Sequence, residues 1–272
     1  MTTLTTGWEP DTATTDTFVR QYLFGWAEMC AAFTVAAGGR TTTRATFAAC
    51  DYRRPAGYFN SATLLAPPRP DTIDEIEEFF AGGSGETLLW SAWPTPDLRR
   101  RGWQLEGHPP LLIRPPAATV PPPSPTPTVT VEQITTPAGL ADWERVVIEG
   151  YPLPELLPPP PDMHTYRPGG LAAAGVLDDP RVRLTVSREE GRAVGIGTLF
   201  VSGELGLFAL GVTRPEARRR GHWLSHAVHR LAEVPQSWTA GVFSDYSRSP
   251  AQRLGFVPVL RLTLWSRSRR LR

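Results

Sequence analysis

The sequence predicts an α/β chain of the α+β kind in which one fold is built twice. Each of its two domains is a mixed, mostly antiparallel sheet flanked by helices. Three observations predict this. A proline-rich segment, "PPAATVPPPSPTP" at residues 115–127, divides the chain. Behind it, strand-like and helix-like apolar periods follow one another in a compact order. Finally, "SAWPTPDLRRRGW" at residues 91–103 has a counterpart in "SDYSRSPAQRLGF" at residues 244–256.

Seven prolines in thirteen residues cannot join a helix or a central strand. Polyproline II, at ~3.1 Å per residue, lets them span roughly 40 Å, enough to pass from one domain to the next. The 272 residues therefore divide into a domain at 1–114, a linker at 115–128 and a domain at 129–272.

The second domain opens with "VTVEQI" (129–134), which alternates as a strand. In "GLADWERVVIEG" (139–150), Leu140, Trp143, Val146 and Val147 share a helical face. A proline-rich loop (157–162) and a short helical piece (170–176) follow. "VRLTVS", "AVGIGTLFV" and "ELGLFALGV" are three strands joined by the hairpin turns "REEGR" and "SG". After "PEARRRGHW", the helix 222–234 has Leu224, Ala227, Val228 and Leu231 as its apolar stripe. A strand at 238–244, a short helix or turn at 249–256 and a strand at 257–265 complete the order.

This order resembles the Gcn5-related N-acetyltransferases. Two motifs carry the resemblance, which covers residues 129–268. One is Arg218, Arg219, Arg220, Gly221, His222, Trp223, matching the family's Arg/Gln-x-x-Gly-x-Gly/Ala turn between its fourth strand and third helix. The other is the turn Leu254-Gly255-Phe256 before the last strand. The resemblance implies a cytoplasmic enzyme that moves an acetyl or other acyl group from coenzyme A to a small-molecule amine. It implies that Arg218, Arg219, Arg220, Gly221, His222 and Trp223 cradle the pyrophosphate. Leu210, Gly211 and Val212 would present main-chain groups to the pantetheine arm and acetyl carbonyl.

Elementary physics supports the turn. The first turn of a helix has backbone N–H groups without intrahelical partners, and the macrodipole adds positive charge there. Together these suit a pyrophosphate. Gly221 admits close approach, and the arginines add charge. The chain departs from the family at two positions. Trp223 stands where a small residue is usual, and Ala251 stands where a tyrosine often supplies the proton. Asp245 and Tyr246, at the exit of the fifth strand, are the candidate base and acid. Two alternatives follow: a non-catalytic coenzyme A-binding relative, or a natural-product enzyme with another acyl donor or an unusual acceptor. His222, His226 and His229 share a helical side, but no acid in a metalloprotease pattern accompanies them. No metal is assigned, and His226 and His229 are read as surface or packing residues.

The first domain opens with a helical pattern at 15–37, then two strands, 44–52 and 57–65, around the turn 53–56. Ile73, Ile76, Phe79 and Phe80 share one face of a helix at 71–81. The stretch "APPRP" before that helix has no glycine, so it is no phosphate turn. The repeat aligns Gly102-Trp103 with Gly255-Phe256, not with Gly221, and Pro109 and Pro110 rule out a helix after Gly102. The first domain is thus a shortened copy without the coenzyme turn. It also resembles the partner domain that precedes the catalytic one in some actinobacterial members of the family. Its expected role is to close the acceptor cleft, with Trp90 and Trp93 as apolar acceptor contacts.

Composition excludes other classes. The net charge is +1, too low for a dedicated nucleic-acid or membrane-surface binder. No run of about 18 apolar residues suggests a membrane helix. The opening "MTTLTTGWEPD" lacks the pattern of a signal peptide. Cys30 and Cys50 lie in apolar segments and read as buried free thiols, which suits the cytoplasm. The Arg-rich end, 266–272, reads as a solvated tail. The chain is expected to act as a monomer or a homodimer.

Overall fold

The computed structural model describes residues 18–53, 57–83, 85–116, 129–151 and 170–268. In chain order its elements begin with α1 (Phe18–Ala36), β1 (Arg40–Thr43), β2 (Phe47–Asp51), β3 (Ser61–Leu64), α2 (Thr72–Phe79) and β4 (Glu86–Ser91). There follow β5 (Gln104–Gly107), β6 (Pro110–Arg114), β7 (Val131–Gln133), α3 (Pro137–Gly150), β8 (Val182–Glu189), β9 (Arg192–Ser202) and β10 (Leu205–Thr213). The last are α4 (His222–Glu233), β11 (Trp238–Val242), α5 (Asp245–Arg253), β12 (Val257–Arg261) and β13 (Thr263–Ser268).

Two compact units result: Met1–Pro110 with Leu260–Arg272, and Leu111–Val259. One sheet runs β1-β2-β3-β4-β13-β5, and the other runs β12-β6-β11-β10-β9-β8-β7. Apart from β7 the two orders are the same. In each, two antiparallel pairings lead to one parallel pairing, β3 with β4 and β10 with β11. Each parallel pair is bridged by a helix, α2 or α4. An antiparallel strand then follows, β13 beside β4 and β6 beside β11. The fold is therefore built twice, as the thirteen-residue repeat suggested. Gly102 and Gly255 hold equivalent left-handed positions, at φ 82° and 89°, each closing a short helical turn. That conformation is open to glycine at little cost.

The two sheets differ from the sequence expectation in one respect. Residues 257–265 read as one strand of the second domain. The structure breaks that run at Leu262, whose N–H donates to the Pro109 carbonyl. β12 stays in the second sheet, while β13 lies between β4 and β5 of the first. The supposed solvated tail thus begins as a strand. Ser266 is buried in it, and Arg267 pairs with Glu77 and lies over Trp103. Conversely β6, which follows β5 in the chain, lies between β11 and β12. β1 was not expected: "RTTT" is a polar edge strand without apolar alternation.

The first unit packs α1 on β2 and β3. Phe33 stacks on Phe59 with centroids 4.3 Å apart, and Trp26 meets Trp90 edge-on at 5.0 Å. Cys30 and Cys50 are buried free thiols, and burial pushes Cys50 up to about 12. At the start of α2, Asp71, Asp74 and Glu75 supply negative charge, and Arg69 bonds to Asp71 and Glu75. These acids suit the positive end of the helix dipole and repel a phosphate. In the second unit α3 begins at an N-cap, with Thr136 accepting from the Gly139 N–H, and buries Leu140, Trp143, Val146 and Val147 as expected. The proline-rich loop at 157–162 and most of the linker lie outside the described residues. Among the described residues, no helix is long and apolar enough to cross a membrane.

Candidate functional site

The site is built where β10 and β11 part. Their parallel pairing runs from Leu205 with Trp238 to Phe208 with Gly241 and goes no further. β10 continues to Thr213 against β9, with a register shift between Ala209 and Val212. Within the shift Leu210 takes φ 41°, a left-handed value that costs a non-glycine residue about 1–3 kcal/mol. A bulge of this kind bends one strand away from its neighbour. Leu210, Gly211 and Val212 therefore form the edge of a gap that opens past Phe208.

The chain then turns into α4. Pro215–Ala217 makes a 3-10 turn, Arg219 takes φ 65°, and Gly221 is the N-cap of α4 at φ 93°. Gly221 offers no capping side chain to the first N–H groups of the helix. The three arginines separate in role. Arg218 donates to the carbonyls of Thr213 and Gly150, tying the turn to the end of α3. Arg220 pairs with Glu189 at 2.8 Å. Arg219 is exposed and bonds to none of the described residues.

His222 and Trp223 give the first backbone amides of α4, and their side chains have other partners. The His222 side chain is buried beneath α4, with Nδ1 2.8 Å from Ser187 Oγ and Nε2 2.9 Å from Glu189 Oε1. Only its backbone faces the turn's chemistry. The Trp223 indole lies against the gap itself. A Cβ placed on Gly211 would stand 3.4 Å from Trp223 Nε1 and 3.3 Å from Arg230 Nη2. The same indole meets Phe243, just past β11, edge-on at 6.3 Å. Trp223 thus touches both lips of the opening.

Beneath α4 runs a buried polar row that sequence reasoning missed. His226 lies 2.8 Å from Thr185 Oγ1 and 3.0 Å from Ser187 Oγ, so of the two readings, surface or packing, it is a packing residue. Arg230 donates to the carbonyls of His226 and Thr198 and lies 4.1 Å over the Phe208 ring. Thr185 donates to the Gly197 carbonyl. Because Thr185 donates to Gly197, His226 Nδ1–H donates to Thr185, and His226 Nε2 accepts from Ser187. Burial, with the charges of Arg230, His222 and His229, pulls His226 down to about 3, so it is neutral. Burial pulls Arg230 down to about 9, opposed by Tyr151 and Glu233, and it remains a cation at neutral pH. The hydrogen bond from His222 is the first cause that holds Glu189 below the usual carboxylate range. The signal in the sequence was the pair Gly195 and Gly197, two apart in β9. Cβ atoms there would meet Ser187, His222, Thr185 and Arg230.

Asp245 and Tyr246 open α5, after Ser244, whose side chain caps it. Both are exposed, and Tyr246 is 95% exposed and turned to solvent. Ala251 is buried in the core cluster with Phe208 and Phe243. Trp90 and Trp93 are corrected from acceptor contacts to core residues of the first unit. They are 6% and 5% exposed, and Trp90 packs on Trp26.

The same overall fold recurs in solved structures. One is a GCN5-related N-acetyltransferase from Kribbella flavida, with TM-score 0.59 and 16% identity, covering 89% of this chain and 95% of that one. Another is a GCN5-related N-acetyltransferase-like protein from Streptococcus suis, with TM-score 0.53 and 11% identity, covering 91% and 100%. The chain has the fold of the Gcn5-related N-acetyltransferases. A GCN5-related N-acetyltransferase from Sphaerobacter thermophilus shares that fold with TM-score 0.50 and 17% identity, covering 82% of this chain and 76% of that one. By sequence, no family model matches and no curated protein does. In terms of this fold, the second unit has an uncapped glycine turn before α4. At the equivalent place the first unit has the acids of α2.

Proposed function

We propose that the chain is an acyltransferase that takes an acetyl or other acyl group from coenzyme A and passes it to the amine of a small molecule. The observation that carries this reading is the start of α4. There an uncapped helix N-terminus, a left-handed Gly221 and Arg219, unpaired among the described residues, meet at the end of a bulged strand. These residues fit a pyrophosphate: the α4 amides and Arg219 would hold it, and Gly221 gives it room. When bound, the coenzyme supplies an activated thioester. Asp245 and Tyr246, on the exposed first turn of α5, are the proposed proton carriers for amine and leaving thiol. The cytoplasm is the proposed compartment. Isothermal titration with acetyl-CoA tests the reading. Heat of binding, followed by thiol release with a panel of amines, supports it; no binding at millimolar ligand refutes it.

A second reading has its own observations. Trp223 lies against the gap, and the buried Ala251 cannot donate a proton. These favour a non-catalytic relative that binds the coenzyme or part of it. Binding without thiol release over acetyl-, propionyl- and longer acyl-CoAs would select it.

A further inference from the structure

The phosphate turn and the strand gap make different demands on a ligand, and Trp223 belongs to both. It is the second residue of α4, so its backbone amide is among the uncapped N–H groups of the turn. Its side chain lies across the gap, with Nε1 beside Gly211 on one lip and the ring edge-on to Phe243 on the other. Phe243 is in turn packed edge-on to Phe256 at 5.3 Å, and both belong to the core cluster under α4. The far lip is therefore anchored. On the near lip, Gly211 has no side chain to hold the indole off; a Cβ there would stand 3.4 Å from Trp223 Nε1 and 3.3 Å from Arg230 Nη2. Trp223 itself is only half-buried, at the margin of that cluster. A half-buried aromatic with its stem on a helix surface can turn outward at the loss of one edge contact.

We infer that Trp223 sets which ligand the α4 turn accepts: a nucleoside diphosphate binds with the indole in place, whereas a diphosphate carrying a long thiol arm must displace the indole from between Gly211 and Phe243. This rests on the proposed coenzyme reading and adds a selectivity to it. The indole and the arm compete for one space. Part of the arm's binding free energy is used to move the indole, and none of the diphosphate's is.

The test compares coenzyme A with ADP, which has the diphosphate but no arm. Titrations use the full chain and its Trp223→Ala and Trp223→Phe variants, each checked for cooperative unfolding. Trp223→Ala should bind coenzyme A at least about tenfold more tightly than the unaltered chain, a change of ~1.4 kcal/mol. Trp223→Phe should fall between them, and ADP affinity should be the same in all three. A second readout does not depend on the alanine variant folding. Coenzyme A should shift tryptophan emission to the red in the unaltered chain, as the indole leaves Phe243 for water. ADP should not, and the shift should vanish in Trp223→Phe. Equal coenzyme A affinity in all three proteins overturns the inference while leaving the coenzyme reading intact. If coenzyme A and ADP bind to none of them, the coenzyme reading fails and takes this inference with it.

Discussion

Gly195→Ala is the sharpest test of the buried polar row. Gly195 lies on β9 directly opposite Ser187 of β8, whose hydroxyl bridges His222 at 2.8 Å and His226 at 3.0 Å. A Cβ at this position would stand 2.5 Å from Ser187 Oγ, 3.0 Å from His222 Cβ and 3.3 Å from His226 Nε2. Ordinary contact is ~3.5 Å, so the hydroxyl has to retreat by about 1 Å. Both of its bonds are then lost. Each buried polar group left unpaired costs about 1–3 kcal/mol, and overpacking adds about 1–3 kcal/mol. Allowing for partial relaxation, the expected loss is ~3–5 kcal/mol. Urea unfolding should show a lower midpoint with an unchanged slope. Ser187→Ala removes the obstructing hydroxyl and should itself cost ~1–3 kcal/mol, through the two unpaired imidazoles. In the double variant the alanine at 195 no longer meets that oxygen, so the two losses should fall short of additivity by ~2 kcal/mol. A loss below ~1 kcal/mol for Gly195→Ala, or strict additivity, would refute the packing argument.

Other outcomes follow from the same geometry. His226 is neutral in the folded chain and has a pKa lowered from 6.5 to about 3, so it takes up its proton more readily when unfolded. Its contribution is full above pH 6.5 and is lost as pH falls towards 3. The loss is on the order of 4 kcal/mol, and His226→Gln should flatten that part of the stability profile relative to the unaltered chain. Arg219→Ala should weaken ADP binding about tenfold by titration, through loss of a charge-assisted bond of ~1.5 kcal/mol. Gly221→Val should abolish binding, because a β-branched residue resists φ 93°. Trp90→Ala should lower stability by ~3–5 kcal/mol as a core cavity; a thermal melt unchanged from the parent would mean that Trp90 is not core.

Legibility followed the physical origin of each signal. The strand and helix order of the second unit rests on apolar periods of 2 and 3.6, and these are written in single residues. Gly102 and Gly255 were equally readable, because a left-handed turn demands glycine. The partition of the last strands was not. Apolar residues continue through Val257, Leu260, Leu262 and Leu264, and periodicity carries no record of which sheet a strand joins. The buried bonds of His226 and Arg230 were hidden for a different reason. Polar residues in a helical pattern read as an outer face, and only the paired glycines of β9 betray the space beneath them. Trp90 read as a ligand contact because its burial depends on α1, far away in sequence.

The placement of β13 has a consequence for how the chain is made. Trp265 Nε1 bonds to Thr95, 170 residues earlier, and β13 is an interior strand of the first sheet. While the ribosome is still adding the second unit, β4 and β5 wait with an open slot between them. Closing a loop of that length is slow, and the exposed strand edges invite pairing with other chains meanwhile. A chain cut at the proline-rich segment would separate each sheet from one interior strand. Supplying residues 260–268 as a free peptide to the amino-terminal fragment should restore its order, as a missing stave restores a barrel.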